Sequence, residues 1–441
     1  VPTLGNLLGQ EKVCARISFI ADIGDSRPEG AYVDNVALRV CPAGLEAYCG
    51  ASAAAAPPAL VAGGIGGYPE SISGMVMAVE ANGRIHAVWV GKLNPNFNDF
   101  LFYSTSTDGM NWTPYQILDY WSAGNPQLAV DNVHGRTHLT YSNLYDGIFH
   151  RVILNGVPGP ATLVVPRHEY YQPGLSLPAG GQIDPRLAVN AQTGIAHLVW
   201  QEGYYKQTNP YTYSFRRRAW YAYWQNGVWS APQQKINDID TADVSIAAAP
   251  AGQTMMAWFQ QWEQSSGGGV GPGAPLVART AYGEMLSRFP LRQATHALYP
   301  EPQRDESIVL SYAPGADAFV LASSHFMWPG HSRTYRYIWK DGVWSDYVSV
   351  AGNTSGWSSP YYIGAAANSA LIRYVYSDNW TLKTRTETGG VLSAPQAITD
   401  YLSERGYTGS PLAYFTDASG GLHLIVQGQK AGVEGVYYVR P

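Results

Sequence analysis

The 441-residue chain carries 28 Lys and Arg against 33 Asp and Glu, a formal net charge of −5, and only 14% of its residues are charged, well below the usual quarter. That balance excludes a nucleic-acid partner held by a basic surface, because phosphate binding needs clustered cations and Arg216-Arg217-Arg218, the sole basic run, reads as part of a solvated strand or loop. No apolar run is long enough to span a bilayer, and the N-terminus has no signal-peptide pattern, so an exported protein would have lost its targeting segment already.

From the N-terminus, Lys12-Val-Cys-Ala-Arg-Ile-Ser-Phe-Ile-Ala-Asp22 alternates as a strand and Gly30-Ala-Tyr-Val-Asp-Asn-Val-Ala-Leu-Arg-Val40 reads as the next. This pair resembles the closing strands of the jelly-roll modules of bacterial extracellular proteins. Residues 1–50 are therefore expected to form a short β-sandwich fragment, too small to stand alone. Three origins remain open: an upstream part removed by processing, a sheet completed by another chain, or a short extension packed on the rest. All three cysteines, Cys14, Cys41 and Cys49, lie here. Cys41 could pair with Cys49 across a short loop or with Cys14 across neighbouring strands, leaving one thiol over, and their number and spacing suit no zinc site. Their confinement to this segment points to an oxidising, extracellular or cell-surface setting. Residues 51–58 form a small-residue linker.

The remainder, 59–441, is organised by a degenerate phrase that recurs every 50 to 60 residues or so: a turn, apolar residues, then an aromatic. It reads Gly83-Arg-Ile-His86-Ala-Val-Trp89, Gly135-Arg-Thr-His138-Leu-Thr-Tyr141, Gly194-Ile-Ala-His197-Leu-Val-Trp200, Gly252-Gln-Thr-Met255-Met-Ala-Trp258 and Gly420-Gly-Leu-His423-Leu-Ile-Val426, with weaker copies at 319–322 and 371–374. Short apolar strands precede the turns, among them Gln127-Leu-Ala-Val130 and Arg186-Leu-Ala-Val189. Outer strands end in Asn226-Gly-Val-Trp229 and Asp341-Gly-Val-Trp344, whose Asn-Gly and Asp-Gly pairs suit tight hairpins. Seven phrases predict an all-β, seven-bladed β-propeller. The chain stops one strand after the last phrase, so Ala59-Leu-Val-Ala62 is expected to complete the last blade and leave no open edge.

Ser106-Thr-Asp108-Gly109-Met-Asn-Trp112 resembles the Asp-box of sialidase-like propellers, shortened by one residue. The resemblance is at the level of fold and covers most of 69–441. In that family the box stabilises a turn between outer strands, remote from the active face, and carries no catalytic role. Sialidase chemistry needs an arginine cluster for the substrate carboxylate, a Tyr polarised by a Glu, and an acid/base Asp. The family's first arginine falls in this sequence where Pro69-Glu-Ser-Ile-Ser-Gly74 stands, without one, and Arg186 and Arg373 read as structural. Sialidase activity is not expected.

Aligning the blades at the start of their first strands brings Asn125, Asp184, Asp243 and Asp305 to one face around the axis, with Pro69, Ser359 and Ser410 at the remaining positions and Glu70 and Glu306 one place on. Such acids could bind Ca2+, hold sugar hydroxyls or pair as in a glycosidase; they could equally cap their own turns. The long loops of that face carry Tyr204, Tyr205, Trp262 and Trp328, residue types that stack on sugar rings and also build protein interfaces. The repeated histidines, at one strand position in four phrases, read as core or inter-blade hydrogen-bonding groups. The expectation is a non-catalytic extracellular module that recognises a glycan or a protein neighbour, or assembles through its N-terminal strands, with a secreted glycoside hydrolase or lyase as the alternative. No cofactor beyond that possible Ca2+ is implied. Asn111-Trp-Thr, Asn353-Thr-Ser and Asn379-Trp-Thr are sequons that matter only in a glycosylating host.

Overall fold

The computed structural model describes residues 72–92, 99–120, 123–167, 182–209, 212–236, 240–264, 276–286, 296–297, 307–327, 331–351, 358–430 and 433–440. The chain divides into two units, 1–56 and 57–441, and every described residue belongs to the second. The jelly-roll strands, the three cysteines, the linker and Ala59–Ala62 therefore lie outside the described residues.

Seven antiparallel sheets follow one another in chain order. Their first strands are Ser73–Val79, Ala123–Asp131, Gln182–Val189, Asp240–Ala248, Ile308–Ala313, Ser358–Ala365 and Tyr407–Thr416. Within each sheet the chain meanders outward, each strand pairing with the next; the first sheet, for example, runs Ser73–Val79, Ile85–Gly91, Phe100–Ser106 and Gln116–Asp119. Each first strand touches the first strands of the sheets before and after it, and Tyr407–Thr416 returns to Ser73–Val79, closing the circle. Sheets arranged radially around an axis in this way make a β-propeller. Six of the sheets have four or five strands; the seventh, Tyr407–Thr416, Leu422–Lys430 and Val433–Val439, has three among the described residues.

The recurring sequence phrase does two jobs. Its glycine turns the chain from first to second strand at positive φ, as at Gly83, Gly135 and Gly252. Its aromatic then packs between sheets: Trp89, fully buried, stacks on Phe102 at 5.6 Å and joins a cluster with Val436 and Tyr438 of the last sheet. Trp200 and Trp220 stack at 6.4 Å and reach Ile148 and Val165 of the preceding sheet. Each such buried aromatic contributes about 4–6 kcal/mol of apolar burial, so the sheets cohere mainly through their faces. The short helix Ile398–Ser403 fills in between the last two sheets with Ile398, Tyr401 and Leu402 buried. Among the described residues no helix is long and apolar enough to cross a membrane.

Polar groups finish the ring where first and second strands meet. The fully buried His86 holds Tyr103 Oη at 2.9 Å and Glu80 Oε1 at 2.9 Å, and Glu80 also accepts from Thr137 of the second sheet at 3.3 Å. His423 repeats the pattern between Tyr438 and Asp417, and His197 holds Tyr221 at 2.8 Å while meeting Thr254 of the next sheet at 3.3 Å. In the second sheet His138 pairs with His150 at 2.9 Å, beside Asp131 at 3.9 Å. The histidines are thus structural nodes, engaged within and between sheets.

Candidate functional site

At the opposite end of the first strands the ladders are irregular. Register breaks fall at Ser73/Val76, Gly124/Gln127, Ile183/Arg186, Thr241/Asp243, Pro360/Tyr362 and Pro411/Ala413, in six of the seven sheets. Proline at four of them, in Asn125-Pro126, Asp184-Pro185, Ser359-Pro360 and Ser410-Pro411, explains the breaks, since proline cannot donate to the ladder. Asn125 and Asp184 sit at φ of 48° and 51°, the left-handed region that Asn and Asp tolerate best. Bulges of this kind turn side chains away from the sheet and toward a ligand.

They surround an axial cavity of about 680 Å³ whose wall takes residues from the first strands of all seven sheets. Its polar lining is Gln127, Arg186, Asp243, Ser245, Ser307 and Ser359. Asp243 is the single carboxylate among the described lining residues, and it is held firmly: Oδ1 accepts the Val244 N–H at 2.9 Å, Oδ2 accepts the Ile308 N–H of the next sheet at 3.0 Å, and Arg186 Nη2 stands 3.8 Å away. Burial pushes its carboxyl above the usual range and the negative charge of Asp184 adds to that, while Arg186 and the backbone donors pull the other way. Ser245 Oγ likewise accepts from Leu310 N–H at 2.9 Å, stitching the fourth sheet to the fifth.

The residues singled out from the sequence separate into three groups. Asp243 lines the cavity, Asp184 stands near enough to influence it, and Asn125 lies exposed at the start of the second sheet without lining the cavity. Tyr204, Tyr205 and Trp262 occupy strand positions, with Tyr204 opposite Arg216, Tyr205 opposite Phe215 and Trp262 opposite Ala278, in the long hairpins that rise beyond the first strands. Glu70, Asp305, Glu306 and Trp328 lie outside the described residues. Among the described residues no three His, Cys, Asp or Glu side chains come together where they could hold a metal ion. Arg373, expected to be structural, donates to Gly420 O at 2.7 and 3.2 Å and pins the sixth sheet to the seventh. Arg186 is both structural, bonding Pro185 O at 3.3 Å, and part of the cavity wall.

Two residues went unnoticed in the sequence. Tyr361, 57% exposed, follows the bulge proline of the sixth sheet, and Trp380, 84% exposed, sits in the hairpin between Leu371–Asp378 and Thr381–Thr388. With Ser359, Ser377, Ser410 and Tyr414 they line a groove of about 470 Å³ on the mouth side. The signal for Trp380 was present: a tryptophan as the second residue of a two-residue turn, where a glycine is the ordinary choice.

No protein-family model matches the sequence, nor does any curated protein. Solved structures do match its fold. One is a polysaccharide lyase of family PL25, an ulvan lyase, with 11% identity and a TM-score of 0.52 over 84% of this chain and 93% of that one. The same kind of lyase bound to -[GlcA(1-4)Rha3S]- matches with 11% identity and a TM-score of 0.51 over 88% of this chain and 93% of that one. A Hadza microbial sialidase matches at 11% identity and a TM-score of 0.42, over 84% of this chain and 65% of that one. At such identities the likeness establishes the propeller fold.

Proposed function

We propose that this chain is a seven-bladed propeller of the extracellular space or a cell surface that binds a glycan at its axial mouth without cleaving it. The observation that carries the reading is the axial cavity itself: about 680 Å³, with a wall of apolar and aromatic side chains from all seven sheets into which the second to sixth sheets set Gln127, three serines and the Arg186/Asp243 pair. A cavity of that size with a few convergent hydrogen-bonding groups suits a sugar ring. Among its described lining residues one carboxylate stands alone, and both its oxygens already accept backbone N–H groups, whereas a glycosidase needs two free carboxyls. On this reading the Ser106–Trp112 turn is an Asp-box that braces the first sheet, and the N-terminal strands pair with another chain, which a size measurement on the full chain tests.

A second reading, glycan cleavage, is favoured by one feature of Asp243: a carboxyl that burial pushes above the usual range, 3.8 Å from a guanidinium, has the placing of a general acid beside a binding site for an anionic substituent. The two ring-shaped matches named as a lyase keep this reading in view. One experiment separates them. The protein is incubated with soluble anionic and neutral polysaccharides, binding is followed by affinity electrophoresis, and products are followed as reducing ends and as unsaturated uronate absorbance. Retardation without product supports binding; product that disappears in Asp243→Asn supports cleavage and removes the primary reading.

A further inference from the structure

Among the described residues, four two-residue hairpins join third strands to fourth strands: Asn155-Gly156, Asn226-Gly227, Asp341-Gly342 and Gly389-Gly390. Both residues of each are at positive φ, the first between 52° and 59° and the second between 81° and 86°, and in these four the second is glycine. That is the primed turn geometry, and glycine is there because a Cβ is disfavoured. Asn379-Trp380 is a fifth hairpin of this kind. Asp378 pairs with Thr381 across it, and its two residues have φ of 50° and 66°. Here the second residue is a tryptophan, placed where a bulky side chain is a steric outlier and left 84% exposed. The chain thus holds an indole in water in a strained conformation, with no core packing in return. Strain retained in this way marks a residue kept for what it touches outside the fold.

What it could touch is defined by the groove. Beside Trp380 stand Tyr361, 57% exposed, and the hydroxyls of Ser359, Ser377 and Ser410, and among the groove's described lining residues there is no carboxylate, lysine, arginine or histidine. Ser359, Tyr361 and Tyr414 also line the axial cavity, so the two are continuous, and the charged pair Arg186 and Asp243 lies at the axial end. The groove's volume, about 470 Å³, falls in the range of small-molecule sites, roughly 300–1,000 Å³. An aromatic face flanked by neutral hydroxyls matches a sugar ring, whose C–H face is apolar and whose rim is polar.

We propose that the groove between the sixth and seventh sheets is a second, uncharged subsite in which Trp380 stacks on a neutral sugar ring of a glycan chain that continues into the axial mouth. The proposal rests on the glycan-binding reading and sharpens it: the ligand is a polymer spanning both sites, and a free monosaccharide fills only part of the groove.

The test uses the full chain with four soluble probes, arabinan, mixed-linkage β-glucan, polygalacturonate and ulvan, in affinity electrophoresis and calorimetry, together with their constituent monosaccharides as competitors. Trp380→Gly is the key variant because it installs the residue the other hairpins use and leaves the fold intact, as its melting midpoint verifies. The expected result is retention of the wild type by at least one polymer, about a tenfold loss in Trp380→Gly, a smaller loss in Tyr361→Ser, and no competition by the monosaccharides at equal sugar concentration. Equal binding by wild type and Trp380→Gly overturns the subsite; if Arg186→Gln, folded by the same criterion, loses binding in that case, the axial reading survives alone. Competition by a monosaccharide as strong as by its polymer also overturns it. Retention of the wild type by none of the four polymers overturns both readings and leaves the exposed aromatics to a protein partner.

Discussion

The two ends of the propeller's strands are built on opposite principles. Where first and second strands meet, polar side chains are buried and paired: Glu80, His86, Asp131, His138, His150 and Glu387 are each no more than 6% exposed, and nearly all find partners. At the mouth, the polar groups Asn125, Asp184, Ser359 and Ser410 are partly or fully open, the ladders are broken, and aromatics face water. Buried polar networks rigidify only when fully satisfied, and they are costly when broken. Open, strained, unsaturated groups contribute little to stability and are available to a ligand. The difference teaches that one end holds the ring together and the other is free to specialise, so a substitution should be costly for stability at one end and costly for binding at the other.

The sharpest way to break that distinction is at Arg336 and Glu387. Arg336 Nε and Nη2 donate to the two carboxylate oxygens of Glu387 at 3.1 and 2.7 Å, tying the fifth sheet to the sixth, and Tyr374 Oη donates to the same carboxylate at 2.6 Å. Removing one partner strands a buried charge. Arg336→Met is expected to lose about 3–5 kcal/mol in urea denaturation, and a loss below about 1 kcal/mol would show that the pair is solvated and the contrast between the two ends false.

The next effect is read with pH. His150 stacks on His138 at 5.2 Å and lies edge-on to Trp229 at 5.1 Å, and burial, with the neighbouring His138 and Arg136, pushes it down to about 3. Burial also lowers His138 and His86, against the pull of Asp131 and Glu80 respectively. Asp131, although burial alone would raise it, is held well below the carboxylate range by His138, His134 and Arg136 around it. A histidine whose folded value lies below its unfolded value of 6.5 contributes stability that is complete above pH 6.5 and is lost as pH falls toward 3. The propeller should therefore lose several kcal/mol over that window, about 1.4 kcal/mol for each unit by which His150 is lowered. His150→Phe should flatten the curve between those limits; an unchanged slope would mean that the pair is not the titrating unit.

How much of this was legible in the sequence follows from the same division. The repeated turn, histidine and aromatic could be read directly because each obeys a local rule: glycine for positive φ, a fixed position on a strand, an apolar face every second residue. The X-Pro pairs at Asn125, Asp184, Ser359 and Ser410 stood in the sequence, but that they break the ladders is seen only in the fold. What could not be read was the fate of each acid, because that depends on a neighbouring sheet some sixty residues away: Asp243 is occupied by the Ile308 N–H, a contact no spacing within its own strand reveals. Trp380 and Tyr361 were missed for another reason. In a chain with 13% aromatic residues, type alone does not single out Tyr361, whose 57% exposure is a property of the folded ring, whereas Trp380 could have been found only by recognising Asn379-Trp380 as a two-residue turn.

A smaller effect is expected at the Ser106–Trp112 turn. Asp108 accepts N–H groups from Met110 and Asn111, each at 2.7 Å, and Asn111 Nδ2 at 2.7 Å, while Ser106 Oγ accepts the Gly109 N–H at 2.9 Å. The backbone donor of Asn111, foremost among these, holds the Asp108 carboxyl well below its usual range. Gly109 in turn lies against Tyr438 of the last sheet, where a Cβ would meet its ring at 2.3 Å. Asp108→Ala should cost about 1 kcal/mol, the scale of a lost cap on an exposed turn. Gly109→Ala should cost more, since it adds a collision at the seam to the strain of φ at 70°. If the two rank in the reverse order in denaturant melts, the turn is held by its own hydrogen bonds and the packing on Tyr438 is incidental.

The smallest change has the opposite sign. Trp380→Gly replaces a residue at φ 66° by one that adopts the left-handed region freely. Because the indole is exposed, little packing is lost, and relief of a left-handed side chain is worth about 1 kcal/mol. The reciprocal variant is Gly227→Ala, where an added Cβ finds open space, so that φ of 86° alone sets the cost, again about 1 kcal/mol. The pair should therefore move in opposite directions by similar amounts in the same denaturant series. A Trp380→Gly protein less stable than the wild type would mean that the indole packs on the ring after all, and the reason for placing it at a ligand site would be gone. A gain in stability would leave the molecule holding, at its open end, a side chain that its fold is better without.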